Sequence, residues 1–190
     1  MAVLSNTDLR HALAIGSISV ELPEWLADQR GDSAPHLDPA GIGLHLGTTW
    51  RRQRQLADGE VIDTREPSEK YWEPLQDMGE DGSIVVRPGE FILAQTAEVI
   101  SVGAWHPAKV YSRSSTGRHS VEVCGCAGWV DPGFPGTLTL ELRVVGGNAV
   151  RLYAGQRIAQ LVVLRTISPA DPPYQGQYAG QVVATVPGRL

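Results

Sequence analysis

The sequence predicts a mainly β fold, a sandwich or barrel with one short helix at its N-terminus, on three observations. From Ile84 onward, short β-rich runs alternate with turns at Pro88-Gly89, Pro132-Gly133, Gly146-Gly147 and Ala154-Gly155. Many short strands at such spacing argue for a closed or two-layered β architecture. The run Thr137 to Val145 alternates, with Leu138, Leu140 and Leu142 on one face and Thr137, Thr139, Glu141 and Arg143 on the other. The clearest helix signature lies at the start of the chain.

There, Ser5 is placed to cap a helix running to about Leu13, with Asp8 as the capping-box acid and Gly16 as the stop. Residues 27–40, with Asp28, Gly31, Asp32, Pro35 and Pro39, read as a loop. Residues 64–83, acidic and Gly-rich, read the same way, with Tyr71 and Trp72 pinning the loop down. The strands follow from Ile84. No internal repeat or linker interrupts the chain, and 190 residues suit one domain, here 1–190.

With 42% hydrophobic residues the chain has material for a core. Its apolar runs, such as Ile158 to Leu164 with Gln160 inside it, fall far short of the roughly 20 residues of a membrane span. No basic-then-apolar signal segment opens the chain, so a cytoplasmic protein without a membrane partner is expected. The net charge of -5 argues against a general nucleic-acid binder, whose footprint is a basic face. Cys124 and Cys126 lie two apart, on one side of a strand in this reading. That spacing suits free thiols in a reducing compartment better than a disulfide.

Arg113, Ser114, Ser115 and Arg118 offer guanidinium forks and hydroxyls to an oxyanion such as phosphate, although a plain polar turn has the same composition. Glu141, on the polar face of its strand, is either a solvated surface residue or a general base in a pocket. Zinc deaminases carry His-x-Glu and Pro-Cys-x-x-Cys. None of His11, His36, His45, His106 and His119 has Glu two residues on, and the cysteines form Cys-Gly-Cys. No zinc and no protein-held metal is expected.

The ordered set Arg-Ser-Ser-x-x-Arg (113–118), Ala-Gly-Trp-Val-Asp-Pro-Gly-Phe-x-Gly (127–136) and Thr-Leu-Glu (139–141) resembles the dCTP deaminase branch of the dUTPase superfamily. Val86 to Leu93, Gly155 to Leu161, Ser168 to Asp171 and Leu4 to Arg10 add to the resemblance, which covers residues 3–20 and 84–189. The Ala-Gly-aromatic-aliphatic-Asp form is similar to the bifunctional, dUMP-forming members. The resemblance implies a distorted β-barrel or jelly-roll subunit in a homotrimer, with active sites between subunits. A C-terminal arm from about residue 168 is expected to close over the nucleotide.

The resemblance also implies roles. Glu141 is the proton-shuttling base, Ser114 and the carbonyl of Ala127 hold the attacking water, and Arg118 orders the site. Arg113, Ser115, Asp131, Thr139, Gln160, Tyr174, Tyr178 and Gln181 contact substrate, with Asp131 at the 3'-hydroxyl and beside the water that attacks the α-phosphate. Gly128 and Trp129 mark bifunctionality. Mg2+ is expected to arrive on the substrate triphosphate, and dTTP is a candidate inhibitor. Departures from the family pattern are Cys124-Gly125-Cys126 for His-x-Thr, His119-Ser120 for Leu-Gly, and Gln177 for a Lys before the second Tyr of the arm. The leading expectation is a deaminase converting dCTP to dUMP, ammonia and diphosphate. A deaminase that stops at dUTP, a dUTPase, and a non-catalytic nucleotide-binding regulator remain as alternatives.

Overall fold

The computed structural model describes residues 2–188. In chain order the elements are β1 (Ala2–Val3), α1 (Asn6–Ala14), β2 (Ile18–Glu21), α2 (Glu24–Arg30), β3 (His36–Asp38) and β4 (Gly41–Arg52). A 3-10 turn (Ser68–Tyr71) precedes β5 (Gln76–Asp77), β6 (Ser83–Val86), β7 (Ile92–Thr96), β8 (Val99–Val102) and β9 (Ala108–Ser112). Next come α3 (Ser114–Arg118), β10 (Val121–Glu122), β11 (Trp129–Val130), β12 (Pro135–Gly136), β13 (Thr139–Val144), β14 (Val150–Tyr153) and β15 (Arg157–Arg165). Among the described residues no helix is long and apolar enough to cross a membrane.

The main sheet runs β10-β13-β7-β4-β15-β9-β11, with β1 added at β15 and β3 and β5 at β4. Its two outermost strands, β10 and β11, follow each other in the chain, joined by residues 123–128 alone. Six residues span roughly 20 Å even when fully extended. The sheet therefore curls until its edges come together, which is the distorted barrel expected from the sequence. Residues 123–128 stitch the seam: Glu141 N–H donates to the Val123 carbonyl (3.0 Å) on one side, and Val110 N–H donates to the Gly128 carbonyl (2.8 Å) on the other. Two smaller sheets, β12-β8-β2 and β14-β6, complete the fold.

The alternation read in the sequence sets β13. Leu140 and Leu142 are fully buried while Thr139, Glu141 and Arg143 face outward or toward a cavity. Burying each Leu stabilises the fold by about 1.5–3 kcal/mol. The apolar residues of β4, β7 and β15 (Leu44, Leu46, Ile92, Ala94, Ile158, Leu161) fill the same core. At the N-terminus the capping box forms: Ser5 Oγ accepts from Asp8 N–H (3.3 Å), and Asp8 Oδ2 accepts from Ser5 N–H (2.9 Å). The Ser5 hydroxyl, donating to Asp8 Oδ2 (2.7 Å), and then the Ser5 N–H hold the Asp8 carboxyl below the usual carboxylate range.

Three local expectations change. Residues 27–30 belong to helix α2, which starts after Pro23 and ends at Gly31 in the left-handed conformation. The stretch 64–83 holds a 3-10 turn and the short strand β5, with Tyr71 and Trp72 buried as expected. Cys124 and Cys126 do not share a strand, since β10 stops at Glu122 and the backbone turns to cross the seam. Both thiols are free.

Candidate active site

The seam carries the site. Glu141 sits mid-strand on β13, opposite Leu93 of β7, with Cys124 bridged to its other side. Its Oε2 accepts the backbone N–H groups of Cys126 (2.5 Å) and Ala127 (3.1 Å). Two donors on one oxygen fix the carboxylate and leave Oε1 for another partner. The turn that replaces the expected strand after Glu122 is what aims these two N–H groups at the acid.

Around Glu141 lies a cavity of about 400 Å³, within the usual range for small-molecule sites. Of the residues proposed from the sequence, Ala127, Gly128, Trp129, Asp131, Thr139, Glu141, Tyr174, Tyr178 and Gln181 all line it. Gly128 is required by close approach: a Cβ there would stand 2.8 Å from the Val110 carbonyl oxygen and 3.4 Å from Cys124 Sγ. Cys124 itself donates to that Val110 carbonyl (3.1 Å), and burial, with the charges of Glu141 and Glu122, pushes its thiol up from the ordinary value. Trp129 is half exposed at the rim, and its indole N–H donates to Asp131 Oδ1 (2.9 Å).

The irregular chain after β15 forms the opposite wall. Tyr174 N–H donates to the Pro132 carbonyl (2.8 Å), Gly180 N–H to Pro135 (2.8 Å), and Thr137 N–H to the Gln181 carbonyl (2.9 Å). This arm lies so close that Cβ atoms at Gly133 and Gly136, both at positive φ, would come within 2.5 Å of Pro173 and 2.7 Å of the Gln181 carbonyl. Gln181 Nε2 donates to the Thr137 carbonyl (2.7 Å) and to Thr139 Oγ1 (3.2 Å), while its Oε1 is buried with no hydrogen-bond partner in the protein. A buried acceptor of that kind calls for a donor.

The other proposed residues lie elsewhere. Ser114, Ser115 and Arg118 are exposed on α3, and Ser115 lines a separate cavity of about 160 Å³ with Thr116, His119 and Arg157. Arg113 turns inward to Asp38 (Nη1 to Oδ2 3.3 Å), an acid it shares with Arg157 (3.8 Å). Burial, with the like charges of Arg113 and Arg30, pulls the Arg157 guanidinium below its ordinary value. Gln160 stands in β15 between Gly43 and Tyr111 and lines neither cavity.

Sequence reasoning did not single out the apolar wall of Val110, Val130, Phe134 and Leu138. Phe134 carries the clearest task there: its ring meets that of Tyr174 with centroids 5.6 Å apart and fixes the arm. The available signal was its place directly after Pro132-Gly133, a turn that aims the next side chain.

Solved structures share this architecture. A 2'-deoxycytidine 5'-triphosphate deaminase from Agrobacterium tumefaciens superposes with a TM-score of 0.60 over 85% of this chain at 19% identity, this chain spanning 47% of that one. A mutant dUTPase from phage phi11 of S. aureus, whose structure describes a structural Mg(II) ion, superposes with a TM-score of 0.52 over 80% of this chain and 93% of that one at 14% identity. The fold is of the dUTPase-like β class. Within it, residues 3–166 match the dCTP deaminase-like family model, and the chain belongs to that family. Similar relatives include the dUMP-forming dCTP deaminases of Methanothermobacter thermautotrophicus, 35% identical over 188 residues (95% of this chain, 90% of the relative), and of Aquifex aeolicus, 34% identical over 189 residues (99% and 94%).

Proposed function

We propose that this chain deaminates dCTP at cytosine C4 and hydrolyses the triphosphate, consuming two waters and releasing ammonia, diphosphate and dUMP. The observation that carries the reading is the Glu141 carboxylate, clamped through Oε2 by two backbone N–H groups on the wall of the 400 Å³ cavity. Its other oxygen takes a proton from the water that attacks C4 and delivers protons to the ring nitrogen and the departing ammonia. The Ala127 carbonyl borders the place where that water would sit. Gln181 Oε1 supplies the acceptor that an exocyclic amino group requires, the amide being oriented by its two bonds to Thr137 and Thr139. Thr139, Tyr174 and Tyr178 enclose base and sugar.

The second hydrolysis falls to Asp131. The Trp129 indole holds one carboxylate oxygen, leaving the other for the 3'-hydroxyl and the water aimed at the α-phosphate. That pairing supports dUMP, rather than dUTP, as the product. Asp131 and Glu141 are the acids among the lining residues, and among the described residues no group of three or more His, Cys, Asp or Glu side chains is placed to hold a metal ion. Such a donor set fits Mg2+ carried on the phosphates with most of its waters retained. Ser114, Ser115, Arg118 and Arg113 serve the site of a neighbouring copy, completing it with hydroxyls and cations in a homotrimer. dTTP would inhibit by occupying the same pocket, and the free thiols Cys124 and Cys126 fit a reducing cytoplasm.

The test is incubation of purified protein with dCTP and Mg2+ followed by ion-exchange separation of the nucleotides. The expected result is dUMP with diphosphate and ammonia. Accumulating dUTP would remove the second half of the proposal. Unchanged dCTP would remove the first, and turnover of dUTP alone would leave a dUTPase.

A further inference from the structure

The connection between β4 and β6, residues 53–82, lies in the stretch 21–83 that carries none of the family motifs, yet the arm ends on it. Tyr71 and Trp72 form a second small core there with Leu93, and the residue that completes it is Ala184, fully buried though it lies three positions beyond Gln181. Three further contacts tie the same ends together. Arg51 Nε donates to the Ala184 carbonyl (3.3 Å), Ser68 Oγ donates to the Pro187 carbonyl, and Val186 packs against the cluster.

The connection itself is braced for this task. Arg54 N–H donates to the Tyr71 carbonyl (2.8 Å), Arg54 Nε to the Trp72 carbonyl (2.9 Å), and Asp63 N–H to the Tyr71 hydroxyl (2.9 Å). The Trp72 ring rests on Phe91 with centroids 5.9 Å apart. Only Val182 and Val183 separate the residue reaching into the cavity from the residue locked in this core. The three backbone steps from Gln181 to Ala184 span at most roughly 11 Å, so fixing Ala184 restricts where Gln181 can go.

We propose that Tyr71 and Trp72 are positioning residues for nucleotide binding: they latch the C-terminal tail and so hold Gln181, Tyr178 and Tyr174 against the cavity before substrate arrives. This rests on the function proposed above for the cavity. A pre-ordered arm spares the nucleotide the cost of ordering its side chains. The latch thus acts on affinity and leaves the proton transfers at Glu141 untouched.

Two variants test it: Trp72→Ala in the full chain, and a chain ending at Val183 that keeps every cavity residue. For each, dCTP turnover and hydrogen exchange of the backbone amides of residues 174–181 are measured against wild type. A working latch raises KM roughly tenfold with kcat within about twofold, and speeds exchange across 174–181 while amides of β13 stay protected. Unchanged KM and exchange in the shortened chain, or a loss of kcat at constant KM, overturns the latch. Should the wild type fail to convert dCTP, the proposed function falls by itself, and the exchange of residues 174–181 alone decides the latch. If Trp72→Ala does not fold, the shortened chain decides.

Discussion

The two motif clusters that stand out in the sequence end in opposite situations. The one around Glu141 is fully engaged: its carboxylate is bonded to the seam, Asp131 to Trp129, Gln181 to Thr137 and Thr139, all around a shared cavity. The one on α3 is idle: Ser114, Ser115 and Arg118 are exposed and make no side-chain hydrogen bond or ion pair among the described residues. Catalytic groups need geometry held by neighbours, and only the first cluster has it within a single chain. On the function proposed above, the contrast reads as two half-sites: Glu141 and the arm would belong to one, and the exposed hydroxyls and cation of α3 would complete the site of a second copy.

The largest expected effect probes the engaged half. Glu141→Gln keeps an acceptor for the two N–H groups but removes the base, so ammonia release from dCTP should fall by about 10²–10⁴-fold while dCTP binding, followed by calorimetry, persists. Deamination at the wild-type rate would show that this half is a binding wall and nothing more. The next largest tests the division itself. Glu141→Gln and Arg118→Ala, each inactive alone, are dissociated together and reassembled. Activity should return to on the order of a quarter of wild type, because each interface then pairs two subunits drawn at random. Failure to recover would place both halves in one chain's site and break the contrast. The smallest sharpens the engaged half. Asp131→Asn loses a charged hydrogen-bond acceptor, and the ratio of dUTP to dUMP in the product should rise about tenfold. A constant ratio would remove Asp131 from the second hydrolysis.

Legibility in the sequence followed the range of the forces involved. The capping box at Ser5 and Asp8 and the alternation of β13 are local, and both were plain. Helix α2 was obscured because Pro23 supplies no side-chain cap and the residues after Ala27 look like a loop. The twelve-residue strand β4 was not singled out in the sequence, and its Gly41, Gly43 and Gly47 are residues that weaken a strand pattern. Their reason is tertiary: a Cβ at Gly43 would stand 2.7 Å from the Arg157 side chain, and one at Gly47 would stand 3.0 Å from Gln95. In the site, the polar lining residues were legible as motifs while the apolar wall was not. The inward turn of Arg113 was not, since its partner Asp38 lies 75 residues away. The latch joining Ser68 and Pro187, 119 residues apart, left no trace in local pattern either.

The bond between Glu141 and the loop at residues 126–127 ties heredity to chemistry. A lineage in which the base drifts to a short or apolar residue loses the acceptor that aligns the seam in the same step, so loss of turnover and loss of local order arrive together. Drift to Gln would be the exception, since on the proposed mechanism it would silence the reaction while keeping an acceptor for the stitch. Chains of this fold retired to nucleotide sensing would therefore be expected to carry Gln at position 141 far more often than Ala or Val.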